Sequence, residues 1–391
     1  MSKIRICDIA EQVRGVSYKP CDIHSELNEN SVMLLRANNI SDGKINFDDV
    51  VYVDKSRVSQ KQFLRRGDIL VCASSGSKDL VGKAASIDFD TECTFGAFCK
   101  AVRPNAKFAN YLGVYFQSNA YRRKIFDVAV GANINNIKNE HIDLLEIPTY
   151  DEICTEQFID QIVKIQNVIK CRKKQLEKLD ELVKARFVEM FGDPETNPYG
   201  WQKVTVGEVC SSIVRGPFGS ALKKEFFVEP NETTYKVYEQ KHAIQKSANI
   251  GTYYVTAEKF DELRRFECVA GDILMSCSGT MGELYQLPED CEKGLINQAL
   301  CKFTLNEKIL PIVFLTYMKQ TIGNLETKGS GIQNIAAVSY VKAMPINLAP
   351  MEVQKQFEAF VEQVDKAKVA VQKALDEAQT LFDSLMQQYF G

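Results

Sequence analysis

The chain has 391 residues, 45% of them hydrophobic and 25% charged, which is enough for two or more domains with ordinary cores. Its net charge of −3 excludes a grip on nucleic acid by global charge, and no apolar run is long enough to span a bilayer. Twelve cysteines without a Cys-x-x-Cys pair, and three scattered histidines (His24, His141, His242), argue against a disulfide framework or a metal site.

The first residues lack the apolar core of a signal peptide, so reduced, mostly buried thiols in a cytoplasmic protein without a membrane partner are expected. Residues 1–150 read as a mixed domain of charge +2. Strands are expected at Val50–Val53, Ile69–Cys72 and Ala97–Val102, a helix at about 110–126, and a strand ending at Ile147-Pro148. Residues 151–195 carry a long helix, Glu152 to about Gly192, opened by a capping box of Thr149 and Glu152. Its apolar positions Phe158, Ile162, Ile165, Ile169, Leu176, Leu179, Val183, Phe187 and Met190 follow steps of 3 and 4, a heptad seam broken by Arg172. Asp193 to Gly200 cannot continue the helix and reads as an exposed linker. Residues 196–349 form a second domain of zero net charge, and residues 350–391 a second helix opened by Pro350.

The two halves repeat. Adding 199 to the first seam gives Phe357, Val361, Val364, Lys368, Leu375, Ala378, Phe382, Met386 and Tyr389, and both helices end in Phe-Gly. Val13-Arg14-Gly15 returns as Val214-Arg215-Gly216, and Gly67-Asp68-Ile69-Leu70 as Gly271-Asp272-Ile273-Leu274. Phe98-Cys99-Lys100 is matched with Leu300-Cys301-Lys302, and Ile134-Asn135-Asn136-Ile137 with Ile332-Gln333-Asn334-Ile335. The expected fold is α+β: two similar mixed α/β domains from a tandem duplication, separated by two long antiparallel helices and related by a pseudo-twofold. Arg172 and Lys368 either fix the register of the helix pair or snorkel to solvent.

No catalytic constellation is found. Asn197-Pro198-Tyr199 lacks the second proline of an adenine-methyltransferase motif, no Gly-x-Gly-x-Gly turn or Walker loop is present, and the acid–lysine triplets Asp42-Gly43-Lys44 and Glu239-Gln240-Lys241 do not recur. A binding protein is the better reading, with its chemistry in loops. Arg14 and Arg215, before equivalent glycines, suit phosphate contact or are plain exposed arginines. Arg36, Asn38, Gln240 and Lys241 supply side chains that contact base edges. Ser75 and Lys78, and Ser278 and Thr280, follow the duplicated strand in small-residue loops. Lys223 and Lys224 are a basic pair, either a phosphate contact or a solvated face.

The strand Gly271-Asp272-Ile273-Leu274, then Ile296-Asn297-Gln298-Ala299-Leu300, Gly329-Ser330-Gly331-Ile332-Gln333-Asn334-Ile335 and Leu348-Ala349-Pro350 to Gln356, resembles the DNA specificity subunit of type I restriction-modification systems. The resemblance covers the whole chain and is sharper in the second half, since Phe95-Gly96-Ala97-Phe98 departs from the Asn-Gln-Ala-Leu pattern. It implies a non-catalytic subunit whose two domains read the halves of a split, asymmetric double-stranded DNA target. The helices would set the spacer and hold two methyltransferase subunits, with Phe158, Ile162, Ile169, Leu176, Phe357, Val361, Leu375 and Phe382 as partner-binding positions. The resemblance implies no cofactor on this chain; S-adenosylmethionine belongs to the partner, and a restriction or translocase subunit could join. The residues alone also admit a two-module scaffold for non-DNA ligands or, against the missing motifs, a stand-alone modification enzyme.

Overall fold

Two stretches of chain with the same strand grammar build two units with the same sheets. A computed structural model describes residues 2–41, 43–76, 80–90, 92–131, 136–327 and 337–391. The chain divides into two compact units, one of Met1–Lys174 with Gln372–Gly391, the other of Gln175–Val371. Mixed helix and sheet, duplicated, is the expected fold class.

In the first unit, Ala10–Arg14, Cys99–Pro104, Ile69–Cys72 and Ala84–Ser86 form an antiparallel sheet in that order. A second sheet orders Cys93–Phe95, Ser31–Leu35, Val51–Asp54 and Ile23–His24, its first pair parallel. Ser2–Arg5 pairs with Glu146–Thr149. In the second unit, Cys210–Arg215, Leu300–Leu305, Ile273–Ser276 and Leu284–Gln286 repeat the first sheet. The second sheet keeps its parallel pair, Tyr235–Tyr238 with Gly294–Ile296, and the antiparallel neighbour Tyr254–Val255, which matches Val51–Asp54, but its fourth strand, Glu267–Cys268, joins the opposite edge. The terminal strand pair recurs too, as Gln202–Thr205 with Pro345–Leu348, so the duplicated scaffold is the first sheet, the terminal pair, and the parallel pair with one antiparallel neighbour.

Buried ionic pairs hold the repeated Gly-Asp turns. Asp68 accepts the Arg65 backbone N–H (2.9 Å) and, on its two oxygens, the Nε and Nη2 edge of the Arg103 guanidinium (2.9 and 2.8 Å). Asp272 accepts the Val269 N–H (3.0 Å) and the Thr304 hydroxyl (2.5 Å), with Lys302 Nζ at 3.3 Å. Each aspartate satisfies its own turn and a cross-strand donor, so both are structural.

Several expectations are corrected. The match of Cys99-Lys100 with Cys301-Lys302 slips by one: Lys100 pairs with Arg14 and Val71, and it is Cys301 that pairs with Arg215 and Met275. A slip of one turns a strand's side chains to the opposite face. The strand starts at Cys99 rather than Ala97 because Gly96–Cys99 is a turn, closed by the Cys99 N–H on the Gly96 carbonyl (2.8 Å). The single helix expected at 110–126 is two, Ala109–Tyr115 and Asn119–Gly131; Ser118 breaks it and accepts the Tyr121 N–H on its hydroxyl (3.1 Å). Asp151, not Thr149, caps the first long helix, accepting the Cys154 N–H at 2.8 Å, while Thr149 stays in its strand and bonds Ser2. The linker at 193–200 is a stapled turn: Asn347 donates to the Pro194 carbonyl (2.9 Å), Trp201 to Phe191 (3.1 Å) and Tyr199 to Glu189 (2.6 Å).

The long helices run Glu152–Phe191 and Met351–Phe390. Their seam closes inside each unit. In the first, Phe158 stacks on Tyr389 at 3.7 Å between ring centroids and Tyr150 donates to the Tyr389 carbonyl. In the second, Phe187 and Phe191 pack edge-on against Phe357, and Lys368 pairs across to Asp180 at 2.7 Å. The direction of these pairings is antiparallel, and Lys368 is an inter-helix ion pair rather than a snorkelling side chain. Gln354, buried, opens the second helix: its amide donates to the Ala349 and Lys308 carbonyls (2.9 and 3.0 Å) and its carbonyl accepts the Leu310 N–H (2.9 Å).

Candidate functional site

Each unit brings three chain segments to one corner. In the first they are the turn after Ser31–Leu35, the loop after Ile69–Cys72 and the turn Gly96–Cys99. Two glycines make the corner possible. A Cβ on Gly15 would overlap the Gly96 carbonyl, and a Cβ on Gly216 would overlap the Asn297 carbonyl. The parallel pair is locked beside them by the Gly96 N–H on the Leu35 carbonyl (2.9 Å) and, equivalently, the Asn297 N–H on Tyr238 (3.0 Å).

Arg36 and Asn38 lie on the first turn, and Ser75 on the facing loop. They line one open cleft of about 300 Å³ together with Tyr18, Gly96 and Phe98. Asp49 organises its polar side, accepting Arg36 Nη2 at 3.0 Å and Asn38 Nδ2 at 2.6 Å. The turn is set by buried Asn39, whose amide oxygen accepts the Arg36 N–H (2.8 Å). Cys99 also lines the cleft; burial pushes its thiol up to about 12, so it is no nucleophile.

The second unit repeats this geometry with other side chains. His242 stands where Asn39 does: its Nδ1 accepts the Glu239 N–H at 2.8 Å and its Nε2 lies 2.7 Å from the Ile250 carbonyl. That places Gln240 and Lys241 where Ala37 and Asn38 stand. Gln240 donates to the Thr280 carbonyl (3.3 Å), Lys241 pairs with Glu239 (2.6 Å) over the Tyr253 ring, and the Ser276 hydroxyl holds the Ser278–Thr280 loop through the Thr280 carbonyl (2.7 Å). Arg215 donates to the Gln298 and Cys277 carbonyls (3.3 and 3.4 Å) and lies over Phe218.

Other expected residues sit differently. Arg14 is exposed on the sheet beside Lys100, whose ammonium is lowered to about 8, first by burial and then by the Arg14 charge. Lys223 pairs with Glu225 (3.6 Å) and Lys224 is exposed. Lys78 and the repeated Ile134-Asn135 and Gly329–Ile335 segments lie outside the described residues. Phe158, Ile162, Phe357 and Val361 are a correction: they are buried in the units' own cores, because the seam that makes each helix amphipathic is the seam that closes the pair. Ile169, Leu176, Leu375 and Phe382 are half-buried along it. The exposed apolar positions of the helices are Val163, Val168, Leu182, Val188, Val369 and Leu381.

The reading of residues missed Asn39, His242 and Asp49. Only the spacing Arg36-x-x-Asn39 and Glu239-x-x-His242 at the end of equivalent strands could have pointed to the first two. Among the described residues no group of three or more His, Cys, Asp or Glu could hold a metal, and no helix is long and apolar enough to cross a membrane.

Residues 198–378 match the family model for the type I restriction modification DNA specificity domain. The chain is 35% identical over 180 residues to the StySPI specificity subunit of Salmonella potsdam, covering 46% of this chain and 39% of that one. It is 26% identical to the EcoKI specificity subunit of Escherichia coli K12, covering 98% and 86%. It thus spans well under half of the first relative and most of the second. The fold is shared with a structure from a study of complex assembly and conformational transition of the type I R-M system (TM-score 0.60, 14% identity, 100% and 97% covered). It is also shared with the type I S subunit from M. genitalium (TM-score 0.51, 14% identity, 100% and 96% covered).

Proposed function

We propose, from the premise that the chain belongs to the family of type I restriction-modification DNA specificity subunits, that it reads a split DNA target and supplies no chemistry of its own. The observation that carries this is the duplicated corner: one scaffold, two places, different side chains in each. Arg36 and Asn38 in one corner, and Gln240 and Lys241 in the other, are the residue types that pair with purine edges in the major groove. A split target read from one face of the duplex has half-sites about one helical turn, ~34 Å, apart or a little more. Arg14, Lys223 and Lys224 are assigned to phosphates, which position the protein without specifying sequence.

The partners are two methyltransferase subunits, which bring S-adenosylmethionine, and a restriction subunit that can join them. Their docking on the helices uses outward positions such as Val168, Leu182 and Val369, since the seam is already filled. The setting is the cytoplasm. The test is co-expression with the cognate methyltransferase, followed by single-molecule sequencing of host DNA for methylated adenine. A motif of two fixed halves with a constant spacer is expected. An assembled complex that binds methyl donor and adds no methyl groups to DNA overturns the reading.

A further inference from the structure

We propose that Phe98 is a specificity-determining residue, reading the 5-methyl group of a thymine in the half-site bound by the first unit; this rests on the DNA reading above. Phe98 is 67% exposed. It stands on the rim of the cleft whose polar side is Arg36 and Asn38. Its backbone is fixed: the Phe98 carbonyl accepts the N–H groups of Ala73 (2.8 Å) and Ser74 (3.0 Å), and the turn beneath it is closed by Cys99 on Gly96.

The duplication supplies an internal control. In the second unit the Cys277 N–H donates to the Ala299 carbonyl at 2.7 Å, the same bond at the same corner. Alanine there shows that the scaffold needs no side chain beyond Cβ. The phenyl ring of Phe98 therefore serves something outside the fold. Of the groups that base edges present in the major groove, the thymine methyl is the apolar one, and phenylalanine is among the side chains that contact it. An apolar side chain carried on a fixed backbone beside Arg36 and Asn38 fits a thymine adjoining a purine.

The experiment uses the complex of this chain with its methyltransferase subunits and the duplex target that methylation sequencing defines. Each thymine is replaced in turn by deoxyuridine, which lacks only the methyl, and affinity is read by fluorescence anisotropy. One thymine, confined to one half, is expected at which wild type loses about fourfold on methyl removal, the worth of one buried carbon. Phe98→Ala is expected to lose that sensitivity while keeping the other half unchanged, and Phe98→Leu to keep part of it. Uracil neutral at every position, equal uracil penalties in wild type and Phe98→Ala, or halves without such a thymine overturn the assignment while leaving the DNA reading intact. Absence of any sequence-specific binding by the assembled complex overturns both. Since the second unit folds with alanine in this place, loss of fold is not the expected cause of an effect.

Discussion

Buried His242 is a polar side chain spent on holding a turn rather than on a ligand. Its Nδ1 accepts a backbone N–H, so its Nε2 carries the proton and donates to Ile250, and the ring must be neutral. Burial, opposed in part by its backbone bonds, holds its pKa below the ordinary 6.5. The unfolded chain then takes up a proton that the folded chain refuses, so stability falls as pH drops below about 6.5 towards the folded value. Urea midpoints of the second unit between pH 7.5 and 5.5 should show that loss. His242→Asn, which keeps an acceptor for Glu239 as Asn39 does for Arg36, should flatten it; a slope unchanged in the variant would assign it elsewhere. At this scale the sequence was partly legible. Arg36, Asn38, Ser75, Gln240 and Thr280 were identifiable from residue type and do line the two corners. Asp49 was not, because nothing in a sequence says that a side chain 13 positions on will return to Arg36.

Among the elements, the long helices were read almost to the residue, since a heptad seam, a terminal Phe-Gly and a following proline-rich turn are local signals. Their caps were not. Thr149 looked like a cap because it precedes the helix, but a strand claimed its backbone and Asp151 took the role. Gln354 lies inside the second helix, and its work is visible only once the 308–310 turn is folded against it. Gln354→Ala strands one N–H and two carbonyls in a buried place, which costs about 1–3 kcal/mol. The expected result is a lower urea midpoint of the second unit, with the first unit's transition unmoved; coincident shifts in both would mean that the cap acts globally. The one-residue slip at Lys100 shows the other limit of sequence reading. Matching identical letters, Cys-Lys with Cys-Lys, overrode the hydrogen-bond register, which only the paired strands reveal.

For the whole molecule, the repeat was legible. The assignment of chain to units was not, because the expected division set the helices apart as separate segments. Instead each unit takes one end of each helix, and residues 372–391 belong with the first domain. Phe390 packs on Tyr111, Tyr115 and Phe158, and Met386 joins the same core. Deleting residues 382–391 should therefore abolish the first unit's cooperative unfolding while the second, whose core draws on Phe357 and Val361, keeps its own. Limited proteolysis should cut within residues 1–174 and spare 175–371. Resistance of the first unit would show that it closes unaided. The same arrangement orders events during synthesis. Residues 1–174 leave the ribosome more than two hundred residues before Phe390, a delay of ~10–40 s at ordinary elongation rates. Throughout that interval Tyr111, Tyr115 and Phe158 lack their lid, so the half of the protein made first is the half finished last, and a nascent chain stalled in the second half is a client for a chaperone.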